Sequence, residues 1–396
     1  MMKGNTLMKG SMHRWFIAML AFVSPMASGH DLPAPAAVDA EVARVMRDTG
    51  AKGLAIAVID DGKPVHVAAQ GARNAAGDPL QVDTIMYGAS LTKAVFAYTV
   101  MRQVDAGRFT LDTSIADMLA QPLPSYASAE LADRYADWST LDERWRRITP
   151  RIVLTHSTGF ANFGFLEPDE KLHFHFDPGA RYAYSGDGLN TLQFAMETGK
   201  GIDVGVEAAK IFEELGMSRT SLIWRADFAG NLADGWDGQG KVESHDERSR
   251  VRAAGSMDTT IADFAKFAAA FVRGDGLSRG SRAEMVKPQL AITTKSQFPT
   301  LQPELPQEQR RKDLAAGIGV VVFDGAQGRG FFKGGHNDTT GNTWVCIEKH
   351  RRCVAILSND VRAEAGFPQL VRFVLGETGV PFDWEYGTGN RAATTR

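Results

Sequence analysis

Cysteines, basic clusters and long apolar runs are all scarce in this chain of 396 residues. Only Cys346 and Cys353 occur, so neither a disulfide-dense scaffold nor a cysteine-rich metal site organises the fold. No block of lysine and arginine stands out and the formal net charge is −3, which excludes the electrostatic footprint of a nucleic-acid groove. The apolar run at 15–23 holds nine residues, against the ~20 that a bilayer crossing needs. No internal repeat is visible. What is present is ordinary for a globular protein: a chain long enough to bury a large core in one or two domains.

The start of the chain reads as an export signal. Lys3, Lys9 and Arg14 precede the apolar run, and Ser24-Pro25-Met26-Ala27-Ser28-Gly29 follows it. A basic region, a short apolar region and small residues at a cleavage point form that pattern. Cleavage after Gly29 removes three cations and no anions, taking the formal charge from −3 to −6. The expectation is a signal peptide over 1–29 and an exported protein, periplasmic or secreted, with no membrane span. If 344–357 is a hairpin turning at Lys349-His350, residues whose numbers sum to 699 face each other, as Cys346 and Cys353 do. A cross-strand disulfide and two buried free thiols both remain open.

Apolar spacing at Val38, Val42, Val45 and Met46 predicts a helix over 38–49, stopped by Gly50. Runs at 53–59 and 64–69 around Asp60-Asp61-Gly62 predict a hairpin. Helical patterns follow after Ser90, over 189–199 and over 260–271, with Asp112 and Asp263 as helix-start caps. Residues 120–145 are expected to form a surface excursion, and 296–312 an exposed loop. Strands return at 317–323, 330–333, 343–348 and 352–357, before a helix over 367–375 and a frayed end. Strands at both ends predict a discontinuous sheet domain, 38–88 with 313–380. A helical domain over 89–312 sits between them, and 381–396 forms a tail.

The chemistry gathers at Ser90-Leu91-Thr92-Lys93. One helical turn stacks the Lys93 amine over the Ser90 hydroxyl. A serine needs a base to become a nucleophile, and a lysine serves only if burial or a neighbouring cation keeps it neutral. Flanking Leu91, Ala94, Val95 and Phe96 predict such burial.

Further landmarks follow in order: Leu154-Thr155-His156-Ser157-Thr158-Gly159, Pro178-Gly179 with Tyr184-Ser185-Gly186, Ala253-Ala254-Gly255-Ser256, and Gly335-His336-Asn337. Together with Ser90-x-x-Lys93 they resemble the serine β-lactamase and penicillin-binding-protein-like hydrolases over about residues 40–380. The nearest branch is the class C-like one, which also holds D-aminopeptidases, D-alanyl carboxypeptidases and esterases. The resemblance implies an α+β fold, an antiparallel sheet sandwiched by helices plus an all-helical domain, with the active site in the cleft between them. It implies Ser90 as nucleophile and Lys93 as its base or proton relay. Tyr184 becomes the base for the deacylating water and acid for the leaving group, provided nearby cations lower its pKa. The oxyanion hole would come from the backbone N–H groups of Ser90 and Thr339.

His336, Asn337, Asp338 and Gly186 are the expected substrate contacts. Two departures bear on substrate. Gly186 stands where the second motif commonly has asparagine, leaving Asp187 or Asn190 to supply a polar contact. The third motif reads His336-Asn337-Asp338, with Lys333-Gly334-Gly335 as an alternative register; either weakens recognition of a β-lactam carboxylate. The expected substrates are β-lactams or D-amino-acid peptides, with short acyl esters as the alternative and a non-hydrolytic sensor as the reading of another class. A monomer is expected, with a small-molecule or peptide substrate and with no metal or cofactor. Gly276-Leu277-Ser278-Arg279-Gly280 matches a nucleophile elbow but lacks the preceding strand. His173 and His175 lack a third metal ligand. His156 reads as a core hydrogen-bonding residue.

Overall fold

The computed structural model describes residues 1, 2, 4 and 31–387, so the apolar run and cleavage region at 15–29 lie outside the described residues. The chain divides between Asp31 and Leu32 into two units, and the fold described here is that of the unit starting at Leu32. Helix α1 (Pro35–Thr49) has proline in its first turn, where a missing N–H costs nothing, and ends at Gly50 with φ 72°. The hairpin β1 (Gly53–Asp60) and β2 (Lys63–Gly71) turns at Asp61 and Gly62, both left-handed. Helices α2 (Thr92–Asp105), α3 (Gly186–Phe194), α4 (Val204–Glu214) and α5 (Ile261–Arg273) fill the middle of the chain. Then come β3 (Leu290–Ala291), β4 (Leu314–Ala316), β5 (Val321–Gly325), β6 (Gly328–His336), β7 (Gly341–Ile347) and β8 (Arg352–Ser358). Helices α6 (Phe367–Leu375) and α7 (Phe382–Tyr386) follow.

All eight strands join one antiparallel sheet in the order β2-β1-β8-β7-β6-β5-β4-β3. N- and C-terminal strands therefore meet at the β1–β8 seam, where Ile56 faces Ile356. Side chains alternate faces along a strand. Leu54, Ile56 and Val58 pack with α1 and α6, whereas Ala55, Ala57 and Ile59 join the core around α2 and α5. Trp344 of β7 takes Phe264, Phe267 and Phe271 of α5 edge-on or tilted, with ring centres within 5.9 Å. In the β7–β8 register Cys346 faces Cys353, and a disulfide joins them.

Several local expectations are corrected. The run at 317–323 is not one strand: 317–320 is the turn between β4 and β5, where the Ile318 N–H goes to Met285 O and Gly319, at φ 77°, turns the chain, and β5 starts only at Val321. Residues 120–145 are exposed over much of their length but anchored in the core: Trp138 and Trp145 are fully buried, and Trp138 Nε1 donates to Thr191 Oγ1 at 2.9 Å. Neither aspartate caps a helix. Thr260 caps α5 by accepting the Asp263 N–H, while Asp112 pairs with Arg151 at 2.7 Å. The region from 381 carries the packed helix α7, with Trp384 buried. Among the described residues, no helix is long and apolar enough to cross a membrane.

Candidate active site

Ser90 does not open α2. It sits in a 3₁₀ turn, Ala89–Leu91, immediately before Thr92 starts the helix. Ala89 takes φ 47°, a left-handed conformation that costs a side chain of order 1–3 kcal/mol and that clusters at functional sites. The turn holds Ser90 half-exposed above a buried floor. It is braced from the sheet, since a Cβ on Gly335 of β6 would lie 3.0 Å from Ser90 N and 2.9 Å from Leu91 N. Only glycine lets the strand come this close.

Lys93, on the first turn of α2, is fully buried and its Nζ lies 3.0 Å from Ser90 Oγ, with Ala254 O as its other partner. Burial, and then the charge of Lys333, push its pKa well below the ordinary lysine value. Lys333 of β6 is itself buried, which lowers it to about 8. Tyr184 packs against both amines, with Lys93 Nζ at 4.9 Å and Lys333 Nζ at 5.2 Å from its ring centre.

The lowered phenol pKa expected from nearby cations is not found. Burial raises the Tyr184 pKa, so the group is a phenol and a proton donor. His156 stacks on the Tyr184 ring at 4.3 Å and accepts the Ser185 N–H through Nδ1 at 3.2 Å. Burial, then Lys93 and Lys333, keep this imidazole neutral. His156 itself has φ 52°, so one left-handed residue precedes Ser90 and another is the residue stacked on Tyr184.

Gly186 begins α3, and its N–H is taken by Asn162. Asp187 points inward, accepting the Gly164 N–H at 2.7 Å and the Asn190 Nδ2–H at 3.0 Å. Burial raises it to about 6 despite those donors. Asn190 Oδ1 in turn accepts the N–H of Ala254, the residue whose carbonyl takes Lys93 Nζ.

At the third motif, Lys333 enters the site, whereas His336, Asn337 and Asp338 lie exposed at the end of β6. His336 Nδ1 is 3.2 Å from the buried carboxylate of Glu364, and Asn337 Oδ1 accepts the Thr339 N–H at 3.1 Å. That hydrogen bond engages the Thr339 amide within the turn.

The sequence decoys are accounted for locally. Ser278 caps a short helix and donates to Asp105, while His173 and His175 pair with separate carboxylates, Asp169 and Glu167. Among the described residues no three ligand-type side chains gather as a metal site would require.

The model of the Beta-lactamase family matches residues 38–375, most of the chain and the stretches that carry Ser90, Lys93, Tyr184 and Lys333. The chain belongs to the beta-lactamase family. Members of the family are serine hydrolases, and the fold is shared with its solved structures. D-alanine carboxypeptidase AmpC from Burkholderia cenocepacia superposes with TM-score 0.65 at 17% identity, over 86% of this chain and 97% of that one. A class C beta-lactamase superposes with TM-score 0.66 at 14% identity, over 88% and 98%. At these identities the likeness concerns the fold alone. A lovastatin esterase from Penicillium rubens is 27% identical over 183 residues, 39% of this chain and 44% of that protein. The chain spans less than half the length of the curated relatives it matches.

Within this beta-lactamase-family site, sequence reasoning set Lys333 aside in favour of the His336 register. It left out Glu385, buried on α7 beside Lys333, and Phe163, which packs against Gly186. The apolar Phe331-Phe332 before Lys333 was the available signal, since a strand entering the core carries its next residues inward too.

Proposed function

We propose that the protein is a serine hydrolase that cleaves a carboxylic ester or amide through an acyl-enzyme on Ser90. The observation that carries this reading is the 3.0 Å approach of a buried, low-pKa Lys93 amine to Ser90 Oγ. Lys93 accepts the hydroxyl proton as Oγ attacks the substrate carbonyl. The proton passes by way of the Tyr184 phenol to the departing oxygen or nitrogen, and the carbonyl–heteroatom bond breaks. Water then attacks the acyl-Ser90 ester, giving its proton to the same pair, and the acid leaves with Ser90 restored. The Ser90 N–H is one oxyanion donor, and the Gly335–His336 end of β6, which lies against it, is the place for the second. Lys333, cationic below pH of about 8, adds positive field to the developing oxyanion.

β-Lactams and D-amino-acid peptides are the first substrate class that the family suggests. The ester reading is favoured by one observation: the Phe163 ring fills the space beside Gly186 where a polar side chain would meet a substrate amide. The esterase among the relatives agrees with it. An exported location fits the disulfide at Cys346–Cys353. Incubation of the protein and Ser90→Ala with a chromogenic cephalosporin, a D-Ala-D-Ala peptide and a short-chain nitrophenyl ester tests the reading. Ester turnover that falls by roughly 10³-fold or more in Ser90→Ala is expected. A stable adduct without turnover would instead identify a sensor.

A further inference from the structure

Asp187, Asn190 and Gln193 follow one another at three-residue spacing, so they share a face of α3. Asn190 and Gln193 are 1% and 0% exposed, and both carboxamides are aimed at the backbone of one turn. Gln193 Oε1 accepts the Ala253 N–H at 2.8 Å, and Asn190 Oδ1 accepts the Ala254 N–H at 3.3 Å. The other end of each amide is held as well. Asn190 Nδ2 donates to Asp187 Oδ1 at 3.0 Å, and Gln193 Nε2 donates to Val251 O and Glu197 Oε1, both at 3.0 Å. Asp187 is fixed in turn by the Gly164 N–H on its second oxygen, at 2.7 Å. The peptide that follows Ala254 is tied back within the turn, the Gly255 N–H reaching Arg252 O at 3.1 Å. Its carbonyl, Ala254 O, is the one that takes Lys93 Nζ, and that nitrogen lies 3.0 Å from Ser90 Oγ.

We propose that Asn190, its amide orientation set by Asp187, is a positioning residue for Lys93, with Gln193 beside it in the same role. The proposal deepens the reading of Ser90 as nucleophile and rests on it. A carboxylate only accepts hydrogen bonds, so Asp187 draws the Nδ2 end of Asn190 and leaves Oδ1 facing Ala254. A neutral lysine amine carries two N–H bonds and one lone pair. With one N–H directed to Ala254 O, the lone pair is free to meet the Ser90 proton. Once that proton has moved, the same carbonyl binds an ammonium, and charge-assisted hydrogen bonds are the stronger ones. The contact therefore strengthens as the reaction proceeds and favours the transition state over the ground state. It can do so only while Ala254 stays in place, since a misplacement of about 1 Å can cost about 100-fold in rate. Gly186, with no side chain, leaves this task to a residue one helical turn further on.

Exchanging the pair tests this. In Asp187→Asn two Nδ2 groups confront each other unless Asn190 turns over, which takes its oxygen away from Ala254. In Asn190→Asp two carboxylates face each other where a 3.0 Å hydrogen bond stood. The double variant Asp187→Asn with Asn190→Asp restores every donor and acceptor with the roles reversed. On nitrophenyl acetate each single variant should lower kcat/KM by about 10-fold or more, and the double variant should return to within about 3-fold of wild type. Asn190→Leu, of similar size, should lower kcat/KM by about 10-fold with KM changed by less than about 3-fold. It should also move the acid limb of the kcat/KM profile to lower pH, because a contact that favours the charged lysine is loosened. If Asn190→Leu does not fold, as read by its Tm, the exchange carries the test alone. Single variants within about 3-fold of wild type, a double variant no more active than the weaker single one, or an unmoved acid limb in folded Asn190→Leu each overturn the proposal while leaving Ser90 chemistry standing. Acetate hydrolysis that survives Ser90→Ala overturns both.

Discussion

Lys93 and Lys333 are charged groups by type, and their burial is what makes them useful. Bringing a lysine into the core costs stability, and the site retains that cost as chemistry. Burial lowers Lys333 from 10.5 to about 8. Between those values the unfolded chain binds a proton that the folded protein has released, so stability from this group rises with pH across that window. Below pH of about 8 both states are protonated and the cost is carried in full, on the order of 3 kcal/mol. Lys333→Met should therefore raise unfolding free energy at pH 7 by about 1–3 kcal/mol, with the gain shrinking towards pH 10, as read by urea titration. The same variant should lower kcat/KM for a neutral ester and flatten its decline above pH of about 8, where the wild type loses the Lys333 charge. A variant that is less stable at pH 7, or fully active, would refute this role. At this scale Ser90 and Lys93 were readable because one helical turn brings them together. Lys333 was harder to read, because a run of glycines leaves the register of a strand open.

Elements bring these residues together. β6 presses its glycine backbone onto the Ser90 turn, and α3 starts just after Tyr184. Gly335→Ala would place a methyl about 3 Å from two backbone nitrogens, so strand and turn must separate by a few tenths of an ångström. kcat should fall by about 10-fold or more with a loss of only ~1–2 kcal/mol in stability, because the oxyanion donors and nucleophile lose alignment. Unchanged kcat would place the oxyanion hole elsewhere. The hairpins were legible because turn residues and two-residue alternation fix them, as at Asp61-Gly62 and across Cys346–Cys353. The stretch 120–145 was not, since it buries Trp138 from an irregular segment and Trp145 from a 3₁₀ turn, with no helical or strand period at either to announce it.

The unit starting at Leu32 joins its first strands to its last. β1 and β2 complete the sheet formed by β3–β8, and α7 follows them in the chain to pack beside β6. Trp384 packs against Tyr182 and Phe332 at 5.6 and 6.4 Å, and Glu385 supplies the carboxylate that favours the charged form of Lys333. A chain ending at Pro381 should lose roughly 3–5 kcal/mol of stability from the uncovered Trp384 site alone, together with its hydrolytic activity. A truncated protein with wild-type Tm and turnover would show α7 to be dispensable. The sheet with helical insertion was legible from strands at both ends of the chain. The role of α7 was not, because five residues beside a polar end carry too little pattern to be read as a helix.

Intact-protein mass spectrometry during turnover is the most direct measurement of the central claim. After rapid acid quenching of the protein with a nitrophenyl ester, the account predicts a mass increase equal to one acyl group. Peptide mapping should place it on Ser90, and Ser90→Ala should show neither the increase nor turnover. Hydrolysis that persists in Ser90→Ala, or an acyl group found on another residue, would contradict it.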